Sequence, residues 1–428
     1  MKPLSRREFL TGAAGLGVVA GASVAGATLL DGGSSHRGRA APPTPARGAA
    51  PAPTAAPAGK GVLVLLALYG GNDGLNTLIP YADAAYLGAR PSLGYQPGEV
   101  IHLDAELALH PALTELKGLW DAEQLAIVRG VGYPDPNYSH FRSMDVWQSG
   151  APDRDEPTGW LGRYLDTTGG KDPLWALSLG PTMPPLLQGG SVAGSALPGS
   201  LTIAPAIEQP YTAVMAPAPD AVPLQQRVAS SGAALLTVVH AVGDVLSAQT
   251  SPAGGTNLEG GPPSSTAPGA AGTTNGLGAQ LDVVARLIVG GLPTRVYVVS
   301  FGGFDTHGTE KDTHATLLAE LDAAVGAFAK AVAGHPVVLM TFSEFGRRVA
   351  QNASGGTDHG SAAPLFVVGS SVKGGYYGDE PSLTDLDGGN LRFTTDFRSV
   401  YATVAEGVLG IDQRSVLGGT AFPTLGFV

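Results

Sequence analysis

The sequence predicts an α/β fold with a central, mostly parallel β-sheet and helices on both faces. Short runs rich in Val, Ile and Leu recur along the chain, and between them stand longer stretches with apolar residues at helical spacing. The short runs are apolar almost throughout instead of alternating with polar residues, as strands covered on both faces must be. Strand and helix patterns also take turns along the chain, which is the order that parallel sheets require.

The elements follow in order. Residues 1–30 open with Ser5-Arg6-Arg7-Glu8-Phe9-Leu10 and continue as a weakly hydrophobic, Gly- and Ala-rich run. An arginine pair ahead of such a run reads as a twin-arginine signal peptide, so the expected partner is the twin-arginine export machinery and the expected location periplasmic or extracellular. Gly and Ala make the run a poor permanent anchor, so no stable transmembrane segment is expected after processing. Ala25-Gly26-Ala27 offers a cleavage site. Residues 31–60 are Pro-, Ala- and Gly-rich without apolar periodicity and read as a disordered tether. A single domain is expected over 61–428, with strands at 61–68, 124–131, 174–179, 295–300, 337–342 and 365–368. Helices are expected at 224–246, 315–333 and 396–409. In the second of these, Leu317, Leu321, Val325, Phe328 and Val332 share one face. Residues 250–275 hold Gly, Pro, Ser and Thr with almost no bulky apolar side chain, and read as a flexible surface insert or a domain linker.

Charge narrows the function classes. The chain carries 25 basic and 36 acidic residues; seven of the former and two of the latter precede Gly61, leaving a formal charge of −16 on the rest. Such a surface repels nucleic acid and anionic lipid. With no cysteine there is no disulfide, thiolate ligand, cysteine nucleophile or lipoprotein anchor. GxSxG, HExxH, Walker and GxGxxG signatures are absent, and the S-x-x-K match at Ser370 stands on glycines that do not favour a helix.

In open α/β sheets ligands bind beyond the carboxyl ends of the strands. The first strand runs into Tyr69-Gly70-Gly71-Asn72-Asp73-Gly74, either a site that presents Asp73 or a plain turn. The strand at 295–300 leads to Gly302-Gly303-Phe304-Asp305-Thr306-His307; Asp305 and His307, two apart in extended backbone, are able to grip one cation. After the strand at 337–342 come Glu344 and then Asp358-His359. Glu344 is a further ligand candidate, or else a helix residue paired with Arg347 or Arg348. His359 is a ligand candidate, with Asp358 beside it to orient. In Asn137-Tyr138-Ser139-His140, Asn137 or Ser139 is either the cap of the helix that follows or, for Ser139, a nucleophile at a helix start that stabilises negative charge. His110 precedes Pro111 and is a capping or turn residue candidate.

Taken together, the leader, LYGGNDGLNTLIP with Tyr86 and Arg90-Pro91 beyond it, SHFRSMDVWQSG, GGFDTH, TFSEFGRR, GTDHGSAAPLFVVG and VKGGYYG resemble an exported bacterial family known as domain of unknown function 1501, over essentially all of 61–428. That family looks like a distant branch of the alkaline phosphatase and sulfatase superfamily. The resemblance implies an alkaline phosphatase-like fold and a site holding a divalent metal ion, with Zn, Mn, Fe and Ca all open. It implies metal ligation by Asp305, His307 and His359, with Asp73 and Glu344 near a second, weaker position. Ser139 is implied as the nucleophile, with His140 stabilising the leaving group or the anion. Two departures stand out: one residue instead of three separates Asp305 from His307, and Phe345 replaces a ligating histidine. The function expected is an exported metal-dependent hydrolase of a phosphate or sulfate ester, its substrate a small ester or glycan. The alternative is a non-catalytic envelope protein that keeps the fold and binds a glycan or a partner protein.

Overall fold

The computed structural model describes residues 61–168, 172–197, 205–216, 221–249 and 276–428, which fall within one compact unit. The expected signal at 1–30, tether at 31–60 and insert at 250–275 lie outside the described residues.

Each apolar run forms a strand. In chain order the main elements are β1 (Val62–Leu68), α1 (Ala84–Ala89), α2 (Thr114–Asp121), β2 (Leu125–Gly132), α3 (His140–Ser149), α4 (Trp160–Thr167), β3 (Ala176–Leu179) and β4 (Ser195–Leu197). They continue with α5 (Pro205–Met215), α6 (Pro223–Ala248), α7 (Leu277–Val289), β5 (Val296–Phe301), α8 (Glu310–Ala331), β6 (Val337–Phe342), β7 (Ala363–Val368), β8 (Gly375–Tyr377), β9 (Thr395–Asp396) and α9 (Phe397–Val404). The sheet runs β8-β2-β7-β6-β1-β5-β3-β4, with β9 also paired to β2. All its pairings are parallel except the two made by β7, which is antiparallel to both β2 and β6. A parallel return needs a crossover long enough to carry the chain back across the sheet. The segment between β6 and β7 contains no helix to do so, and the chain turns straight back.

Strand periodicity splits the core in two. Leu63, Leu65 and Ala67 of β1 point to one face, where α3, α4 and α9 cover them with Trp147, Trp160 and Tyr401. Val64, Leu66 and Leu68 point to the other, against Leu116 of α2, Leu281 of α7 and Leu318, Leu321 and Val325 of α8. This is the sheet with helices on both faces that the apolar runs predict. Among the described residues α6 alone is long and apolar enough to cross a membrane by length and composition, and its Val238 and Val242 pack into the second core.

The order β6-β1-β5 at the centre fixes where chemistry can gather. Three parallel neighbours end on the same edge, so the loops after Leu68, Phe301 and Phe342 meet there. Their approach is closest at Gly70 and Gly71, which have φ of +118° and +76°; a Cβ on Gly70 would lie 2.4 Å from the Asp305 amide, and one on Gly71 would lie 2.4 Å from the Phe345 ring. Only glycine suits both the left-handed backbone and the contact.

Candidate metal centre

Asp305 is the centre of the cluster at this edge. Its Oδ1 lies 3.0 Å from His307 Nε2, 3.2 Å from His359 Nε2 and 2.8 Å from Arg347 Nη2, and its Oδ2 lies 3.5 Å from His140 Nε2. The two rings of His307 and His359 bring their Nε2 atoms within 3.0 Å of each other. Each imidazole has its other nitrogen at an acceptor: His140 Nδ1 is 2.8 Å from Glu344 Oε1, His359 Nδ1 is 2.8 Å from the Tyr138 carbonyl, and His307 Nδ1 is 3.4 Å from Asp358 Oδ1. A carboxylate or carbonyl oxygen can only accept, so a neutral imidazole that donates through Nδ1 to these outer acceptors has its Nε2 lone pair turned toward Asp305, the tautomer that a cation held there would select. His140, Asp305 and His359 each offer a donor atom within 4.8 Å of the others. Imidazole nitrogen with carboxylate oxygen suits a borderline divalent ion, and the outer hydrogen bonds from Glu344, Asp358 and the Tyr138 carbonyl are those that orient ligating histidines. The donor set fits the metal that the sequence implies.

The supporting groups are held from behind. Glu344 is buried and accepts from the Gly70 amide at 2.9 Å as well as from His140, while the Ser143 hydroxyl of α3 donates to the Glu344 carbonyl. Arg347, fully buried, donates to the carbonyls of Gly70, Gly71, Phe304 and Thr357 and to Asp305. Burial acts to raise the Asp305 carboxyl, but the Arg347 hydrogen bond and charge outweigh it and hold the group below its usual range. The Glu344 hydrogen bond raises His140 against its burial, whereas burial lowers His359. Phe345, where the resemblance expects a ligand, packs its ring against His140 and His359 with centroids 4.9 and 4.5 Å apart, so it serves as an apolar floor.

The structure therefore brings Asp305, His307 and His359 together, adds His140 as a ligand candidate instead of a group that acts on the leaving group, and sets Glu344 one bond further out behind His140. Glu344 lies in no helix, so the alternative of a helical pair with Arg347 does not form. Asp73 is not brought to the cluster. It is buried and its two oxygens are taken by the Arg90 guanidinium, Nη2 to Oδ1 at 2.9 Å and Nη1 to Oδ2. Burial would raise Asp73, but the charge and hydrogen bonds of Arg90 hold it low. Ser139 occupies the N-cap position of α3, yet its exposed hydroxyl makes no cap bond; Asn137 Oδ1 accepts from the Ser139 amide at 2.9 Å, closing a turn ahead of the helix. His110 is a buried turn residue: its Nδ1 accepts from the Ala112 amide at 3.0 Å, and its Nε2 meets the Tyr95 hydroxyl at 2.8 Å. Sequence reading missed Glu310, the first residue of α8, which is fully buried against Asp73 and accepts from the Thr357 hydroxyl at 2.6 Å. A carboxyl at a helix start passes for an ordinary dipole partner, so nothing local marked it.

Fold and cluster define an α/β protein with a histidine and aspartate cluster able to hold a cation on the strand-end edge of a mostly parallel sheet. Residues 213–421 match the family described as "Protein of unknown function (DUF1501)". The match includes Asp305, His307, Glu344 and His359 and begins after Asp73, Ser139 and His140, so it is narrower than the resemblance in the sequence motifs. No curated protein matches the chain. Among solved structures, the chain is similar to a protein in the alkaline phosphatase superfamily from Vibrio parahaemolyticus (11% identity, 77% of this chain and 65% of that one, TM-score 0.34). It is similar to the C-terminal periplasmic domain of EptC from Escherichia coli in complex with Zn (9%, 84% and 80%, 0.34) and to the lipoteichoic acid synthase LtaP from Listeria monocytogenes (9%, 84% and 76%, 0.34). The chain thus spans just under two thirds of the first of these. At such scores the chemistry of this site rests on its own geometry.

Proposed function

We propose that the protein is an exported, metal-dependent hydrolase of a phosphate or sulfate ester that works in the periplasm or outside the cell. One observation carries the reading: three imidazoles, each with Nδ1 at an oxygen acceptor, turn their Nε2 atoms on Asp305. His140, Asp305 and His359 would hold the ion, with His307 beside them. A divalent ion there would supply Lewis-acid polarisation of the ester and stabilise charge that develops on it. The chain's own part is to orient and support. Glu344 fixes the tautomer of His140, the Tyr138 carbonyl fixes that of His359, and Arg347 keeps Asp305 ionised. Phe345 excludes water from beneath the rings. The Ser139 hydroxyl, free and exposed one residue ahead of His140, is the protein's nucleophile candidate, with water as the other.

The test is elemental analysis of the exported protein together with turnover of an aryl phosphate, a phosphodiester and an aryl sulfate. About one divalent ion per chain is expected, with activity that a chelator removes and added metal restores. Asp305→Ala and His359→Ala should each lower the occupancy at least tenfold. Full occupancy in both variants, or a metal-replete protein inert toward all three esters, would overturn the reading. The second outcome would leave the non-catalytic envelope protein, which one observation favours: Arg90 takes both oxygens of Asp73, so Asp73 is not free to hold a second ion.

A further inference from the structure

We propose that the cleft beside His140 receives the organic part of the ester, and that this part is apolar and free of negative charge. The inference rests on the hydrolase reading of the metal centre and adds its substrate class.

The cleft, of about 250 Å³, lies over the ends of β1, β3, β5 and β6 and beneath the segment 180–186. His140, a ligand candidate, forms part of its wall, so a group attached to an ester at the cation would enter directly. Tyr69, Phe141, Met144, Met183, Leu186 and Phe342 make most of the lining apolar. Phe141 leaves 60% of its surface exposed at the start of α3, on the rim of the cleft, where it adds apolar surface open to a ligand. Two flexible thioethers beside aromatic rings adapt to varied apolar shapes.

Charge decides the rest. The lining contains no lysine or arginine among the described residues, and apart from His140 and Tyr69 its one ionisable side chain is Asp145. An adjoining cleft of about 350 Å³ shares Asp145 and Gln148; there Arg142 lies 3.1 Å from Asp155, and Glu156 is paired with Arg154 and Arg163 at 3.5 and 3.8 Å, so these cations are already engaged by carboxylates. Arg347 is buried behind Asp305 and cannot reach into either cleft. An anionic substituent in the cleft beside His140 would meet Asp145 with no lysine or arginine in the lining to neutralise it, whereas a neutral or cationic one would not be repelled. Polysulfated glycans and nucleotides are thereby disfavoured as substrates, and esters of aryl, alkyl or cation-bearing alcohols favoured.

The experiment is calorimetric titration of the whole zinc-loaded protein with three non-hydrolysable benzylphosphonates. The ring carries a methyl, a carboxymethyl or a trimethylammoniomethyl group. The methyl and cationic compounds should bind at least tenfold more tightly than the carboxymethyl one, and Asp145→Lys should bring the anionic compound level with or ahead of the cationic one. Equal affinities across the series, tightest binding of the carboxymethyl compound, or no binding of any would overturn the assignment of the cleft. Affinities that do not change when zinc is withheld would overturn the metal reading instead, while the order within the series would still report on the cleft.

Discussion

Replacing Glu310 with glutamine tests whether a proton is locked inside this fold. Glu310 and Asp73 are both buried, with Arg90 the one cation bonded to the pair, so two ionised carboxylates would leave a net charge in the interior. Glu310 Oε2 accepts from Thr357, while Oε1 receives no hydrogen bond and faces Asp73. A protonated Glu310 resolves this by donating to Asp73, and burial together with the Asp73 charge pushes its pKa up to about 9. Unfolded, the same group ionises in the ordinary carboxyl range. Between those values the folded chain holds one proton that the unfolded chain releases, so stability falls as pH rises, by about 1.36 kcal/mol per unit. From pH 6 to pH 8 that is on the order of 3 kcal/mol. The amide of Glu310→Gln keeps an acceptor for Thr357 and a donor for Asp73 and does not titrate. The variant should therefore lie within about 1 kcal/mol of the parent at pH 6, the worth of one hydrogen bond, and gain on it by roughly 3 kcal/mol at pH 8. Urea unfolding of both proteins at pH 6, 7 and 8 reads the difference, in which all other titrating groups cancel. Equal pH slopes, or a loss of more than about 3 kcal/mol at pH 6, would show that Glu310 is ionised in the folded protein and refute the shared proton.

Other perturbations read separate parts of the molecule. Because the Ser139 hydroxyl caps nothing, Ser139→Ala should change stability by no more than about 0.5 kcal/mol, yet lower turnover at least about a hundredfold if Ser139 is the nucleophile; unchanged turnover would assign that role to water. Gly70→Ala would set a Cβ 2.4 Å from the Asp305 amide at a φ of +118°, and should cost about 2–4 kcal/mol in thermal or urea unfolding, with metal occupancy lost as well. A variant as stable as the parent would mean that the two loops are not in contact. Changing Arg6 and Arg7 together to lysine should strand the precursor in the cytoplasm, as cell fractionation would show; undiminished export would remove the twin-arginine reading.

The parts legible in the sequence are those set by local periodicity. The strands at 61–68 and 337–342 follow from apolar runs, and α8 follows from the face of Leu317, Leu321 and Val325. Asp305, His307 and His359 could be suspected because each follows a strand and a glycine. Asp73 met the same description and has a different fate, since its partner Arg90 lies 17 residues on, beyond a helix, and no local pattern announces the pairing. His140 was legible as chemistry and not as a ligand, because its Nε2 meets Asp305 only when α3 packs beside the end of β6. The antiparallel turn of β7 was hidden for a similar reason: it depends on the lack of a crossover helix after β6, and a Gly-rich loop looks alike whichever way the next strand runs.

Arg347 ties Gly70, Gly71, Phe304 and Thr357 to Asp305, and its bond to Gly70 spans 277 positions in the chain. A ribosome must therefore extend the chain nearly to Thr357 before any of those bonds can close, and contacts of such long range are the slow ones in folding. A chain that ends before Arg347 also lacks His359, so the donor set of His140, Asp305 and His359 is incomplete until late in synthesis, and any cation it takes would be captured only after that.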